Sequence, residues 1–192
     1  MAQLKMYHTL EVIEDFPIPE EFELSLFKEG DVKTWVDACT PAFFDENVNA
    51  ESAFRECMLS QEGLVPERDI YFISRKGGKP EATLTAFVYP DNKGYIHMVA
   101  AKPSIQGHNV SRMMLSVGMK KLDKMIQGEN RIVYLTTDDF RLPAIVGYLK
   151  AGFVPVIYDE GMVERWQKIC DQLNMHGYEM LNDDGTKSGV IL

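Results

Sequence analysis

Apolar residues recur along this chain with two periods, and the points where one period yields to the other divide it into elements. Phe22 to Phe27 alternates apolar and polar positions as a half-buried strand does, and Asp31 then stands as an N-cap before the helical spacing of Val32, Trp35, Val36 and Ala38. A second helical stretch, about Ala50 to Gln61, carries Phe54, Cys57, Met58 and Leu59 and stops at Gly63. Ile70 to Arg75 and Ala82 to Tyr89 are expected to pair as a hairpin around Lys76-Gly77-Gly78-Lys79, and the turn Pro90 to Gly94 leads into a third strand that runs to Ala101. Beyond it the pattern predicts a helix over 110–127, a strand over 131–137, a helix over 142–150, a strand over 153–158 and a last helix from about Gly161 to Leu173. That last helix places Val163, Trp166, Ile169, Cys170 and Leu173 on one face.

A strand and helices, then an antiparallel meander, then alternating strands and helices argue for an α/β (α+β) chain, a mixed sheet covered by helices on both faces. No internal repeat or low-complexity linker interrupts the pattern. A single domain over 1–192 is expected, with a core at about 22–158 and a helical and strand extension over 159–192.

Composition narrows the function classes. Of the 192 residues 45% are hydrophobic and 26% charged, a globular balance. Residues 1–21 carry five carboxylates with Pro17 and Pro19 and no basic start before an apolar run, so they do not read as a signal peptide, and no stretch approaches the roughly 18 apolar residues of a membrane span. A cytoplasmic location, with no membrane partner, is the expectation. Cys39, Cys57 and Cys170 show no C-x-x-C spacing, which fits ordinary thiols better than a disulfide framework or a nucleophile. The four histidines form no metal pattern, so no metal is expected. Twenty basic against 29 acidic residues give a net charge of −9, which argues against nucleic acid as a partner. The same acidity suits a cationic substrate such as an amine, and equally suits plain solubility.

The most informative segment is His97 to Arg112, an apolar strand, a turn marked by Pro103, a polar loop and the first turn of a helix. Such a loop aims several unpaired backbone N–H groups one way, and the helix dipole adds partial positive charge there. It forms a cradle for an anionic cofactor, although Gly107 is its one glycine and a single glycine also serves ordinary turns.

Here the chain resembles the GNAT superfamily of acyl-CoA-dependent N-acetyltransferases, whose central motif runs V-x-x-x-P and then Q/R-x-x-G-x-G/A into a helix. Val99, Pro103, Gln106, Gly107, Asn109 and Ser111 carry the resemblance, with Asn109 and Ser111 standing where the family usually has glycine or alanine. Asn tolerates left-handed backbone better than other non-glycine residues, so the loop is expected to close around a pyrophosphate all the same. Downstream, Ala144, Tyr148, Gly152 and Phe153 are similar to the family's N-x-x-A-x-x-x-Y-x-x-x-G-F, with Arg141 in the asparagine position. The resemblance covers about 22–158 and implies a GNAT-like, mostly antiparallel central sheet with a splayed cleft for acetyl-CoA.

It also implies roles. Tyr148 matches the tyrosine that would protonate the departing thiolate, the alternative being a packed helix tyrosine with its hydroxyl at the surface. His97, with an unperturbed pKa near 6.5, is the candidate base, the alternative being a packed core histidine; strand alternation places Tyr95 and Val99 on its face. Asp138 or Asp139 acting through water is the competing base, unless they cap the helix beginning near Pro143. The backbone N–H of Val99 would hold the oxyanion, and Val99, Ala100 and Ala101 would pair with the pantetheine arm. Gln106, Gly107, His108, Asn109, Val110, Ser111, Arg112 and Arg141 complete the implied cofactor contacts, with Arg112 or Lys120 reaching phosphate. Phe43, Phe44, Asp45 and Glu46 would shape a small-molecule or peptide amine site, or form a lid on the core. A homodimer follows by analogy only. The expected activity is direct acetyl transfer from acetyl-CoA to a primary amine in a ternary complex. The rival is an inactive GNAT-like module that binds acyl-CoA or a partner; a nucleotide phosphotransferase, lacking G-K-[ST], ranks third.

Overall fold

The computed structural model describes residues 2–129 and 131–192. In chain order its elements are β1 (Leu4–His8), β2 (Phe22–Leu26), α1 (Val32–Cys39), α2 (Ala50–Phe54), α3 (Pro66–Asp69), β3 (Ile70–Arg75), β4 (Pro80–Val88) and β5 (Gly94–Ala101). They continue with α4 (Val110–Met125), β6 (Val133–Thr137), α5 (Leu142–Lys150), β7 (Val154–Ile157), α6 (Met162–Leu173), β8 (Glu179–Asn182) and β9 (Lys187–Val190). Mixed α/β architecture with mostly antiparallel sheet is thus present as the pattern predicts. The chain forms two compact units, one from Glu14 to Glu129, the other joining the opening segment up to Ile13 to the C-terminal part ending at Leu192.

In the Glu14–Glu129 unit, β2, β3, β4 and β5 pair antiparallel in that order. β4 is buried throughout Ala82–Phe87 because both of its faces are covered. Ile70 pairs with Thr85 and Phe72 with Thr83, and this face packs on Trp35 of α1, Phe54 of α2 and Met58 just beyond it. Leu84, Ala86 and Ile96 face the other way, onto α4. There Gly118 permits the close approach: a Cβ on it would stand 2.8 Å from Leu84 Cδ2 and 3.1 Å from Ile96 Cδ1. The helix predicted over Ala50 to Gln61 is α-helical only to Phe54 and continues as a π-helical turn over Arg55–Leu59. Asn49 rather than a Ser or Thr caps it, accepting the Ser52 N–H at 2.9 Å.

In the other unit the order is β6, β1, β7, β8, β9, with antiparallel pairing except between β7 and β8, which run parallel. β1 was not anticipated. Only five residues long and interrupted by Lys5, it presents too short an apolar run to register, yet β6 and β7 pair with it on its two edges and Leu4 and Met6 are fully buried. The extension expected beyond 158 is α6 followed by the β8–β9 hairpin. Among the described residues no helix is long and apolar enough to cross a membrane.

Candidate active site

The sequence from β5 into α4 builds the site. Thr85 pairs with His97 but Thr83 pairs with Ala100, so two residues of β5, Met98 and Val99, lie opposite Leu84 alone. This is a β-bulge, and Met98 sits in it at φ 49°. The bulge corrects the alternation argument: parity shifts by one, so Ala100 rather than Val99 shares the face of His97. Ala100 joins the buried cluster around Trp35 and Phe72 accordingly. A bulge also withdraws backbone polar groups from the ladder with β4, which is what a strand needs if it is to offer an N–H to a ligand.

After Ala101 a single 3₁₀ turn, Pro103–Ile105, is anchored by the fully buried Ile105. Gln106, Gly107, His108 and Asn109 then cross an exposed loop. Gly107 has φ 84°, and a Cβ built on it meets nothing within 4 Å, so the loop opens onto free space there. Asn109 adopts the left-handed conformation, φ 59° and ψ 22°, in accord with its tolerance for that region. It leads into α4 without a side-chain cap, so the first-turn N–H groups of a 16-residue helix are not satisfied by a capping side chain. Gln106 Nε2 donates back to the Ala101 carbonyl at 3.2 Å, and the His108 ring lies edge-on to Phe22 with centroids 5.9 Å apart. Val110 is buried as the first helical anchor, while Ser111 is exposed. These residues fit an anionic, pyrophosphate-like group.

The nearby cations are arranged otherwise than expected. Arg112 is held by Glu14, with its guanidinium 4.4 Å from the Phe16 ring centroid, and Lys120 is held by Asp15. The Phe16 N–H donates to Ser116 Oγ at 3.0 Å, so residues 14–16 lie along α4 as an acidic strap. The Arg112 guanidinium draws the Glu14 carboxyl below its ordinary pKa. Nothing in the α4 pattern signals this, because the partners lie about a hundred positions away.

His97 is partly buried. Its Nε2 lies 3.1 Å from the Cys57 carbonyl oxygen, which can only accept, so the proton resides on Nε2 and Nδ1 keeps its lone pair. The ring stacks on Tyr95 with centroids 4.9 Å apart. Burial lowers its pKa below 6.5, with the Cys57 contact opposing, so the imidazole is neutral at neutral pH. Cys39, Cys57 and Cys170 all have pKa values raised by burial, which leaves no activated thiol among them.

Phe43 and Phe44 answer the question of lid or binding loop differently from Asp45 and Glu46. The two rings pack on the core cluster, Phe44 edge-on to Trp35 at 5.7 Å, whereas Asp45 and Glu46 line a cavity of about 1170 Å³. Its other walls are α1, through Val36, Asp37 and Thr40, and the segment Lys102–Ser104 that opens the cofactor loop.

In the other unit, Tyr148 on α5 is buried and meets Phe153 edge-on at 6.1 Å. Arg141 stands at the N-cap of α5, its Nε donating to Asp138 at 3.1 Å and its guanidinium 5.3 Å from the Phe140 ring centroid. Asp138 also accepts from Gln3 Nε2 at 3.2 Å, and Asp139 is gripped by Arg165, which holds its carboxyl below the usual range. A carboxylate so stabilised is a weak base, and neither aspartate side chain caps α5. Among the described residues no group of three or more His, Cys, Asp or Glu side chains is placed to hold a metal ion.

The family model for acetyltransferases of the GNAT family matches residues 30–153, more than half of the chain. The chain belongs to that family. The match spans α1 to Phe153 and so contains both the loop before α4 and the tyrosine helix. Solved GNAT structures share the fold at low identity. A GCN5-related N-acetyltransferase from Sphaerobacter thermophilus superimposes with a TM-score of 0.60 at 20% identity, covering 80% of this chain and 48% of that one. The ribosomal-protein-S18-alanine N-acetyltransferase from Escherichia coli gives 0.52 at 15% identity, covering 88% and 90%. This GNAT chain therefore spans about half the length of the Sphaerobacter protein. No curated protein matches it in sequence.

Proposed function

We propose that this family member works as one N-acetyltransferase domain, passing the acetyl group of acetyl-CoA directly to a primary amine within a ternary complex in the cytoplasm. The observation that carries the reading is the run from bulge to helix: a strand released from its neighbour at Met98–Val99, then Gly107 and Asn109 in left-handed backbone, then the uncapped start of α4. Bound acetyl-CoA would supply an activated thioester. The N–H groups from Gly107 to Arg112 and the dipole of α4 would hold its pyrophosphate, while Val99 to Ala101 would align its pantetheine arm and Val99 N–H would take up charge developing on the carbonyl oxygen. His97, neutral and with its Nδ1 lone pair available, would accept the amine proton. The amine nitrogen then bonds to the carbonyl carbon as the C–S bond breaks, and the Tyr148 hydroxyl would give the thiolate its proton. Raised thiol pKa values at all three cysteines support direct transfer over a covalent enzyme intermediate. Asp45 and Glu46, at the wall of the 1170 Å³ cavity, would attract a cationic acceptor.

The test is calorimetric titration with acetyl-CoA, with Gly107→Glu as the control that puts a carboxylate into the loop. Micromolar binding lost in the variant supports the site; turnover of screened amines that falls about 10- to 1000-fold in Tyr148→Phe, with binding retained, supports the reaction. No binding by the unmodified protein refutes the reading. Binding without turnover of any amine points to the acyl-CoA-binding module instead.

A further inference from the structure

We propose that Arg75 and Glu81 are positioning residues for the cofactor loop, acting through Ser104. Arg75 is the last residue of β3 and Glu81 the second of β4, on either side of the hairpin turn. Arg75 Nη1 donates to both carboxylate oxygens of Glu81, at 2.8 and 2.7 Å, and its Nη2 donates to the Ser104 carbonyl oxygen at 2.6 Å. Ser104 Oγ in turn donates to Glu81 Oε1 at 2.6 Å, and the Lys102 N–H donates to the Glu81 carbonyl at 2.8 Å. Ser104 is thus gripped at its side chain and at its carbonyl by one guanidinium–carboxylate fork.

The hairpin does not need this arrangement for its own sake, because the β3–β4 ladder already fixes it from Ile70–Thr85 to Ile73–Ala82. A guanidinium presents a planar fork, and here one arm is turned outward onto the segment leading to the site. Between the buried Ile105 and the start of α4 only Gln106, Gly107, His108 and Asn109 remain, so the loop is a four-residue span between two fixed ends. Its two left-handed residues fall inside that span. With so few dihedrals free, the position of Ser104 limits which loop conformations exist. Loosening that end lowers the fraction of molecules whose N–H groups converge, and apparent affinity falls by the same fraction.

The inference rests on the acetyl-CoA reading of this loop, and the experiment separates the two. Arg75→Lys, which keeps the charge but not the fork, and Glu81→Ala are compared with the unmodified protein for acetyl-CoA affinity and for KM and kcat with the amine found to turn over. Amide hydrogen exchange is followed in the ligand-free proteins at Ile105 and Gln106, whose N–H groups donate to the Lys102 and Pro103 carbonyls at 3.1 and 3.3 Å in the turn that contains Ser104. Both variants are expected to weaken acetyl-CoA binding about 5- to 10-fold, to raise its KM alike and to leave kcat at saturation within about twofold. Exchange of the Ile105 and Gln106 amides should quicken by a similar factor while the amides of β3 and β4 stay protected. Variants with unchanged affinity and exchange, or with protection lost equally across the hairpin, overturn the inference while leaving the cofactor reading intact. Unmodified protein that fails to bind acetyl-CoA overturns that reading and the inference with it.

Discussion

Two adjacent lysines on α4 provide a test in which burial alone decides the outcome. Lys121 Nζ donates to Asp69 Oδ1 at 2.6 Å and to the carbonyl oxygens of Arg68 and Ala86 at 2.7 Å each, and lies 5.3 Å from the Tyr71 ring centroid. Its side chain is 12% exposed and that of Asp69 is 0% exposed. Desolvation pulls the Lys121 pKa down and the Asp69 carboxylate pushes it back, so the ammonium persists through its partners. Lys121→Met fills most of the volume but leaves two carbonyls without their donor and Asp69 with Arg68 and the Val65 N–H alone. Breaking a buried pair costs about 3–5 kcal/mol, and the remaining Arg68 contact places this case near 3. That corresponds to about a hundredfold shift in the unfolding equilibrium. Lys120, paired with Asp15, is 45% exposed and its partner 75%, so Lys120→Met should cost no more than about 0.5 kcal/mol. The assay is urea unfolding in a Trp166→Phe background, where emission comes from the fully buried Trp35 of the same unit. Equal losses in the two variants, or a loss below about 1 kcal/mol for Lys121→Met, would refute the argument.

Other expectations follow from the same contacts. His8 is buried, with Nδ1 accepting the Leu10 N–H at 2.9 Å, and burial lowers its pKa below 6.5. The unfolded chain therefore binds the proton more readily, so the His8 contribution is full above pH 6.5 and falls on acidification through that value, with a slope of at most about 1.4 kcal/mol per pH unit; in denaturant titrations at stepped pH, His8→Asn should remove that share and leave the share of His97, whose pKa is lowered in the same direction. Glu14→Gln, which frees Arg112, should tighten acetyl-CoA binding a few-fold and steepen its salt dependence, whereas Arg112→Gln should weaken it; changes of the same sign by calorimetry would show that the pair does not compete with the cofactor. Gly118→Val places branched atoms where even a Cβ would stand 2.8 Å from Leu84, and should cost about 2–3 kcal/mol in thermal or urea unfolding, with Ala less harmful because its helix propensity offsets part of the overlap.

The elements with strong periods were legible in the sequence: the hairpin, the strand into the loop, α4, α5 and α6 lie within a few residues of their predicted bounds. Short pieces held by their neighbours were not. β1 has no apolar run of its own and is defined by pairing on both edges, and the π-helical turn at Arg55–Leu59 interrupts a spacing that reads as continuous helix. Long-range charge pairing was equally hidden. Arg112 and Lys120, assigned to phosphate by the resemblance, are paired with Glu14 and Asp15 from the segment before β2, and Asp69 with Lys121 of α4, and no local spacing records either pairing.

The candidate site was legible as a motif and illegible as geometry, and the difference is one residue. Alternation along β5 assigns Val99 to the face of His97, and it fails because the ladder with β4 skips Leu84, which no composition or spacing records. The two departures from the family pattern then separate physically. Asn109 occupies a position whose demand is conformational, and it meets that demand at φ 59°. Ser111 lies inside α4, where ordinary helical backbone suffices, so the only requirement left at that position is room for an approaching group. Left-handed backbone is costly at Met98, at about 1–3 kcal/mol, and well tolerated at Asn109, and these two of the five such non-glycine residues in the described chain bracket this one stretch. Met98 and Asn109 thus bound a twelve-residue segment with Ile105 and Val110 fully packed between and beside it, so the backbone that would meet an anion in the proposed reading is held from both ends.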